Sequence, residues 1–83
     1  MPSLRQVIQA THSKLESFYI PDARLEAEVM VMNIMRLPRQ DLFANQEMEV
    51  SGQQEHELTE VLERRRKREP LAYILGYKEF YGV

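Results

Sequence analysis

The sequence contains no cysteine and no tryptophan, and its three glycines are isolated from one another. Without cysteine, the chain can form neither a disulfide nor a thiolate metal site. The uncharged apolar runs, such as Val29 to Met32 and Leu71 to Leu75, are far shorter than the roughly 20 residues that a membrane-spanning helix needs. Residues 1–5 also lack the apolar core of a signal peptide. We therefore expect a cytoplasmic protein with no membrane-spanning segment.

Length and composition indicate a small packed unit. With 83 residues the chain is shorter than the roughly 100 to 200 residues of a typical domain, so we expect one small domain or a piece of a longer protein. Apolar residues make up 43% of the chain and charged residues 29%, a balance typical of a globular core rather than of disorder. A chain of this size buries only about 60 to 65% of its unfolded surface, so its net stability should be roughly 5 kcal/mol.

Charge is distributed unevenly, although the net charge is only −2. Residues 1–63 contain five basic and eleven acidic side chains, whereas residues 64–83 contain six basic and two acidic ones. Five consecutive basic residues, Arg64 to Arg68, follow a stretch that has seven acids and no lysine or arginine. Acidic residues near the start of a helix and basic residues near its end interact favourably with the helix dipole. This pattern therefore stabilises a helix by roughly a few tenths of a kcal/mol per group.

Two capping boxes predict the starts of the two longest helices. Ser3 with Gln6, and Ser51 with Gln54, match the Ser-x-x-Gln pattern. We expect the first helix to end before Pro21 and the fourth to run to about residue 67. Within each of these two helices, apolar residues recur at the spacing of three and four positions that defines one helical face. The predicted inner faces are Leu4, Val7, Ile8, Thr11, Leu15 and Phe18 in the first helix, and Leu58, Val61, Leu62 and Arg65 in the fourth.

The second helix is predicted to follow Pro21, with Asp22 as the N-cap whose carboxylate accepts free backbone N–H groups. It should extend to about Arg36. Apolar residues surround most of its circumference, which is typical of a central helix packed on several sides. We interpret its methionines as adaptable core filler rather than as a promiscuous binding surface.

A short third helix is predicted over residues 39–44, directly after Pro38. Leu42 and Phe43 are its expected apolar anchors. Residues 45–50 then form a polar, acidic connector to the fourth helix.

The last predicted helix begins with Pro70 at its first position and ends at Gly76 as its left-handed stop. Residues 77–83 are rich in aromatics and roughly alternate, which indicates the start of a strand. The sequence therefore predicts an all-α bundle of about five helices over residues 1–76, followed by the beginning of a strand.

Residue patterns typical of catalytic and cofactor sites are missing. Gly52, Gly76 and Gly82 do not cluster into a loop that could cradle phosphate. His12 and His56 share no ligand spacing with a second histidine, so we expect both to be surface residues. We predict no catalytic, cofactor-binding or metal-binding residue in this segment, and the residues that bind a partner are unknown from the sequence.

Two groups of charged residues are candidate sites. Glu57, Glu60 and Glu63 can lie on one side of a helix, but without a second element to form a cleft we expect a solvated face. The basic run at residues 64–68 suggests a phosphate-binding patch, yet the rest of the chain is acidic and no aromatics interleave with the run. Nucleic-acid binding is therefore the less favoured interpretation.

One ion pair is predicted between helices. Arg65 lies on the inner face of the fourth helix and Glu28 among the aliphatic residues of the second. Because a charge buried without a partner costs several kcal/mol, we expect Arg65 and Glu28 to pair. The alternative is that each side chain extends separately to solvent.

A resemblance to a known family rests on two stretches. Residues 65–82 read Arg-Arg-Lys-Arg-Glu-Pro-Leu-Ala-Tyr-Ile-Leu-Gly-Tyr-Lys-Glu-Phe-Tyr-Gly, and residues 23–28 read Ala-Arg-Leu-Glu-Ala-Glu. The first resembles the Arg-Arg, Gly-Glu-Pro, apolar helix and Glu-Phe-aromatic-Gly segment of HemK-type (PrmC) release-factor glutamine methyltransferases, and the second resembles their acid-Ala-Glu stretch. Arg68 stands where that family usually has Gly. We therefore expect Lys67 or Arg68 to end the fourth helix with extended rather than left-handed geometry.

The resemblance implies an N-terminal helical domain joined by a β-hairpin linker to an S-adenosylmethionine-dependent methyltransferase domain. In that family the enzyme methylates the Gln of the Gly-Gly-Gln motif of peptide chain release factors. The family's Asn-Pro-Pro-Tyr motif and Gly-rich cofactor loop have no counterpart in this sequence. We therefore expect residues 1–76 to be a monomeric substrate-recognition domain whose partners are release factors, and residues 77–83 to begin the linker.

Two other interpretations remain open: a stand-alone helical adaptor for protein interactions, and a weak nucleic-acid-binding module that uses residues 64–68. The sequence after Val83 would distinguish the adaptor from the methyltransferase domain, and salt-dependent RNA binding would favour the nucleic-acid module.

Overall fold

The computed structural model describes residues 1–76, which fold into a five-helix bundle with principal extents of 30 × 24 × 23 Å. The helices are α1 (Leu4–Ser17), α2 (Ala23–Met35), α3 (Arg39–Ala44), α4 (Gly52–Arg66) and α5 (Leu71–Leu75). The predicted all-α fold is confirmed. The strand predicted at residues 77–83 lies outside the described residues. No helix within residues 1–76 is long and apolar enough to cross a membrane.

Both predicted capping boxes are present. The Ser3 hydroxyl accepts from the Gln6 backbone N–H at 3.2 Å, and the Ser3 N–H donates to the Gln6 side-chain oxygen at 2.9 Å. At the start of α4 the same two bonds join Ser51 and Gln54 at 3.1 and 2.9 Å. These reciprocal bonds satisfy backbone groups that the helix itself leaves unpaired.

Helix α2 occupies the centre of the bundle, as its apolar circumference predicts, and contacts α1, α3 and α4. Met30 and Met32 are buried, which confirms their interpretation as core residues. The central core lies between α1, α2 and α4 and also includes single residues from α3 and the loops. Its buried apolar members are Leu4, Val7, Leu15, Ile20, Ala23, Ala27, Met30, Val31, Met32, Leu42, Val50, Leu58 and Leu62.

Two local predictions are wrong. Asp22 precedes α2, but its side chain makes no capping bond because its backbone (φ −103°, ψ 47°) lacks the extended geometry found at Ser3 and Ser51. In α3, Leu42 is fully buried, whereas Phe43 is 44% exposed. A six-residue helix presents one narrow inner face, so the neighbouring position points elsewhere, and the Phe43 ring lies 5.8 Å from the Arg39 guanidinium.

The connector at residues 45–50 is more than a polar link, because it pairs with the start of α1. Ser3 and Glu49 form an isolated antiparallel bridge, and Val50 is buried. Backbone hydrogen bonds join the two segments: Leu4 N–H to Met48 O at 2.7 Å, Arg5 N–H to Gln46 O at 3.0 Å, and Val50 N–H to Pro2 O at 2.9 Å. The connector thus supplies acceptors for N–H groups that have no partner inside α1.

Several helices end on a left-handed residue that is not glycine. Within residues 1–76, φ is positive at Tyr19 (62°), Arg36 (57°) and Arg68 (71°) as well as at Gly76 (76°). After α4, the Arg68 N–H donates to Arg65 O at 2.9 Å, which satisfies one free carbonyl of the helix end. The predicted extended end of α4 is therefore wrong at both residues, because Lys67 has φ −82° and ψ 8° and Arg68 is left-handed. The left-handed stop predicted at Gly76 is confirmed.

We expect Tyr19→Gly to raise the free energy of unfolding by up to about 1 kcal/mol. The left-handed conformation costs a side-chain-bearing residue roughly 1 to 2 kcal/mol, and part of the gain is offset by the greater freedom of glycine in the unfolded chain. Little packing is lost, because Tyr19 is 86% exposed. Urea denaturation measures the change.

Gln9→Gly, at an exposed position inside α1, is the matched control. It should lower the free energy of unfolding by about 1 kcal/mol. Equal losses from the two variants would contradict strain at Tyr19.

Candidate functional site

The guanidinium of Arg65 joins α4 to α2 by a two-bond contact with Glu26. Arg65 Nε donates to Glu26 Oε1 at 2.8 Å and Arg65 Nη2 donates to Oε2 at 3.1 Å. A third donor, Nη1, reaches the Glu69 carbonyl at 3.0 Å. Both side chains are mostly buried, at 18% and 16% exposure, and the hydrogen bond to Glu26 raises the pKa of Arg65. This fork fixes the end of α4 and the turn into α5 against the start of α2.

The predicted pair between Arg65 and Glu28 is therefore wrong in its acidic partner. Glu26 and Glu28 are two positions apart, so their side chains point to nearly opposite sides of α2. Helix α4 packs on the side of Glu26. The sequence shows that both acids lie among aliphatic residues, but it does not show which side of α2 faces α4.

Glu28 instead pairs with two arginines on the other side of α2. Its side chain is 4% exposed, Arg39 Nη2 donates to its Oε1 at 2.6 Å, and Arg24 Nε lies 3.5 Å from its Oε2. The Arg39 contact attaches α3 to α2. Arg24 is one helical turn before Glu28, so the sequence contained a signal for that pair, whereas the approach of Arg39 depends on the tertiary fold.

These three residues line an open cleft of about 420 Å³ between the loop from α1 to α2 and the start of α3. Ile20 and Leu25 contribute apolar surface to it. The cleft combines arginine side chains with partly exposed aliphatic surface, a composition that is common where proteins bind one another.

The two histidines lie beside carboxylates of their own helices. His56 is exposed as predicted, with Nε2 3.7 Å from Glu60. His12 is only 23% exposed, lines the cleft and lies 3.3 Å from Glu16, so its predicted surface position is only partly correct. Within residues 1–76, no three histidine, aspartate or glutamate side chains are grouped closely enough to hold a metal ion.

The basic run at residues 64–68 is largely engaged in contacts within the fold. Its hydrogen bonds and ion pairs run from Arg64 to Glu69 at 2.7 Å, from Arg65 to Glu26, from Arg66 to Glu63, and from Arg68 Nη2 to Phe18 O at 2.6 Å. The hydrogen bond from Arg66 lowers the pKa of Glu63. A phosphate would have to compete with these partners, which argues against a nucleic-acid patch.

Glu60 and Glu63 are exposed along α4, as predicted, whereas Glu57 is partly buried. The expectation that no second element accompanies them is wrong, because Ile34 of α2 lies opposite and completes a groove with α4.

We expect Arg39→Met to lower the free energy of unfolding by at least about 2 kcal/mol. The substitution leaves the buried Glu28 carboxylate with only the longer contact to Arg24, and a buried charge without a close partner is costly. Glu28→Gln should cost about 1 kcal/mol, because Arg39 is half exposed and water can solvate it. Chemical denaturation of each variant gives the two values.

The double variant Arg39→Met/Glu28→Gln is the control. Its free energy of unfolding should be higher than that of Arg39→Met alone by at least about 1 kcal/mol. A double variant as unstable as Arg39→Met would show that lost packing, and not the buried charge, causes the effect.

Curated relatives of the chain are methyltransferases, of which it spans only a small part. The release factor glutamine methyltransferase of Coxiella burnetii (strain RSA 493 / Nine Mile phase I) is 42% identical over 60 residues, which cover 72% of this chain and 22% of that protein. The bifunctional methyltransferase of Rickettsia bellii (strain RML369-C) is 37% identical over 80 residues, covering 96% of this chain and 14% of that protein. The release factor glutamine methyltransferase of Koribacter versatilis (strain Ellin345) is 34% identical over 80 residues, which cover 96% of this chain and 29% of that protein.

No solved structure matches the chain significantly. The model of one protein family, described as the PrmC N-terminal domain, matches residues 6–76. This match covers most of the chain and all five helices apart from the first two residues of α1. The resemblance drawn from the two sequence stretches is thereby confirmed, and the chain belongs to the PrmC N-terminal domain family.

Proposed function

We propose that residues 1–76 are the substrate-recognition domain of a protein-glutamine N5-methyltransferase that modifies peptide chain release factors. The methylated residue would be the Gln of the release factors' Gly-Gly-Gln motif, and S-adenosylmethionine would be the methyl donor. The observation that supports this proposal most directly is the family match over residues 6–76, together with relatives named release factor glutamine methyltransferase.

In this proposal the domain binds the release factor, and a methyltransferase domain of the same protein performs the chemistry. The chain spans 14–29% of the three relatives described above, so most of each relative lies outside the matched region. Residues 77–83 would begin the β-hairpin linker between the two parts. The cofactor and the catalytic groups would belong to the second part, and the whole enzyme would act in the cytoplasm.

A recognition domain remote from the reacting atoms accelerates methylation by holding the substrate close to the active site. Binding at one surface raises the effective concentration of the target Gln at the other. Such a contact lowers KM for the whole release factor but leaves the reaction of a short Gly-Gly-Gln peptide unchanged.

Of the two alternatives, nucleic-acid binding is disfavoured by the internal partners of the arginines in the basic run. The adaptor interpretation receives no specific support from the contacts within residues 1–76.

We expect the 83-residue chain to bind a release factor weakly, because it would supply only part of a two-part contact. Addition of unlabelled release factor to the ¹⁵N-labelled chain should shift a contiguous set of backbone resonances. An unrelated protein of similar size and net charge serves as the control and should shift none of them. Identical spectra with and without release factor, at concentrations up to about 1 mM, would contradict the proposed recognition role.

We also expect the chain alone to bind S-adenosylmethionine no better than background, since the cofactor site would lie in the methyltransferase domain. Such cofactors generally need a Gly-rich turn and an acidic ribose-binding residue on an α/β fold. Isothermal titration calorimetry tests this expectation, and a dissociation constant in the micromolar range would place cofactor-binding groups in the chain and contradict the proposed division of roles.

A further inference from the structure

A groove of about 540 Å³ runs between α2 and α4, on a part of the surface that shares no lining residue with the cleft at Glu28. Its lining residues are Ile34 from α2 and Glu57, Glu60, Val61, Glu63 and Arg64 from α4. Ile34 and Val61 are only partly buried against the core. Two aliphatic side chains from different helices therefore remain accessible at the base of the groove.

The charges on the rim of the groove are unbalanced. Glu63 and Arg64 are paired with Arg66 and Glu69, so they contribute little net charge. Glu57 and Glu60 have no lysine or arginine partner within the described part of the chain.

Glu57 and Glu60 each have a weak polar partner on α4. The Gln53 amide lies 3.5 Å from Glu57, and His56, which is charged only when protonated, lies 3.7 Å from Glu60. The groove thus combines an aliphatic base with two carboxylates that are one helical turn apart.

We propose that this groove binds a cationic amphipathic segment of another protein. An aliphatic side chain of that segment would pack on Ile34 and Val61, and its lysine or arginine side chains would pair with Glu57 and Glu60. The choice of occupant rests on charge complementarity, since carboxylates flanking an apolar strip attract basic groups and repel acidic ones. The proposal goes beyond the recognition role proposed above, because it rests on the groove alone.

Two other occupants fit the groove less well. A nucleic acid would place phosphates against Glu57 and Glu60. A second copy of the chain would have to present its own basic run, but Arg64, Arg65, Arg66 and Arg68 already have partners within the fold.

Three synthetic helical peptides of 18 residues test the proposal by titration into the ¹⁵N-labelled 83-residue chain. The first has leucine on one face and lysine on the other, the second replaces lysine with glutamate, and the third replaces leucine with alanine. We expect the leucine/lysine peptide to shift the resonances of residues 34, 57, 60 and 61. It should bind at least about tenfold more tightly than the alanine/lysine peptide, and the leucine/glutamate peptide should cause no shift.

Charge-neutralising variants locate the contact. Glu57→Gln/Glu60→Gln should weaken binding of the leucine/lysine peptide about threefold to tenfold, as expected for two rim ion pairs. Glu49→Gln/Glu55→Gln removes the same charge from exposed side chains outside the groove and is the matched control, which should leave the affinity within about twofold.

Three results would overturn the proposal. Equal affinity for the leucine/lysine and alanine/lysine peptides would show non-specific charge attraction. Equal weakening by the two double variants would show that net charge alone matters. Shifts confined to residues outside the groove would place the peptide elsewhere on the chain.

Discussion

Helix α2 packs against α1, α3 and α4, so its two glutamates in the core-facing region must be neutralised by arginines from other elements. Glu26 is bound by Arg65 of α4, and Glu28 by Arg39 of α3. Each pair therefore fixes one neighbouring helix to the central one. Hydrophobic contact alone allows a helix to slide or rotate with small changes in buried area, whereas a two-bond fork such as Arg65 to Glu26 has one good geometry. The pairs thus contribute orientation as well as stability.

The two ends of α1 also depend on contacts with distant parts of the chain. The first N–H groups of α1 are satisfied partly by Ser3 and partly by carbonyls of the connector at residues 45–50, which lies more than 40 residues further along the chain. At the other end, the Arg68 side chain donates to the Phe18 carbonyl that follows α1. The start and the end of α1 are therefore closed by different, distant parts of the chain, and this arrangement couples the first helix to the loops that precede α4 and α5.

These contacts also decide how the segregated charges appear at the surface. The basic run after residue 63 is mostly used within the fold, by Glu26, Glu63, Glu69 and the Phe18 carbonyl. Earlier in α4, Glu60 is exposed and Glu57 is partly buried. The basic run that stands out in the sequence is therefore mostly paired within the fold, whereas Glu57 and Glu60 have no lysine or arginine partner within residues 1–76.

The sequence by itself determined the helices, their starts and most of the core. Capping boxes, prolines and the three-and-four spacing depend on residues within one turn of each other, so Ser3, Ser51 and Gly76 could be assigned without tertiary information. It also determined the family, because the residues on both sides of the Glu-Pro turn form a specific local pattern.

Tertiary structure decided which groups meet across the bundle. The sequence placed Glu26 and Glu28 on one helix but could not choose the partner of either, since that choice depends on the rotation of α2 against α3 and α4. It favoured extended geometry at Arg68, yet the hydrogen bonds to the end of α4 and to Phe18 hold that residue in the left-handed region. The cleft at Glu28 and the groove at Glu57 arise between segments that are distant in sequence. Packing, which no local pattern encodes, therefore determined both candidate binding surfaces.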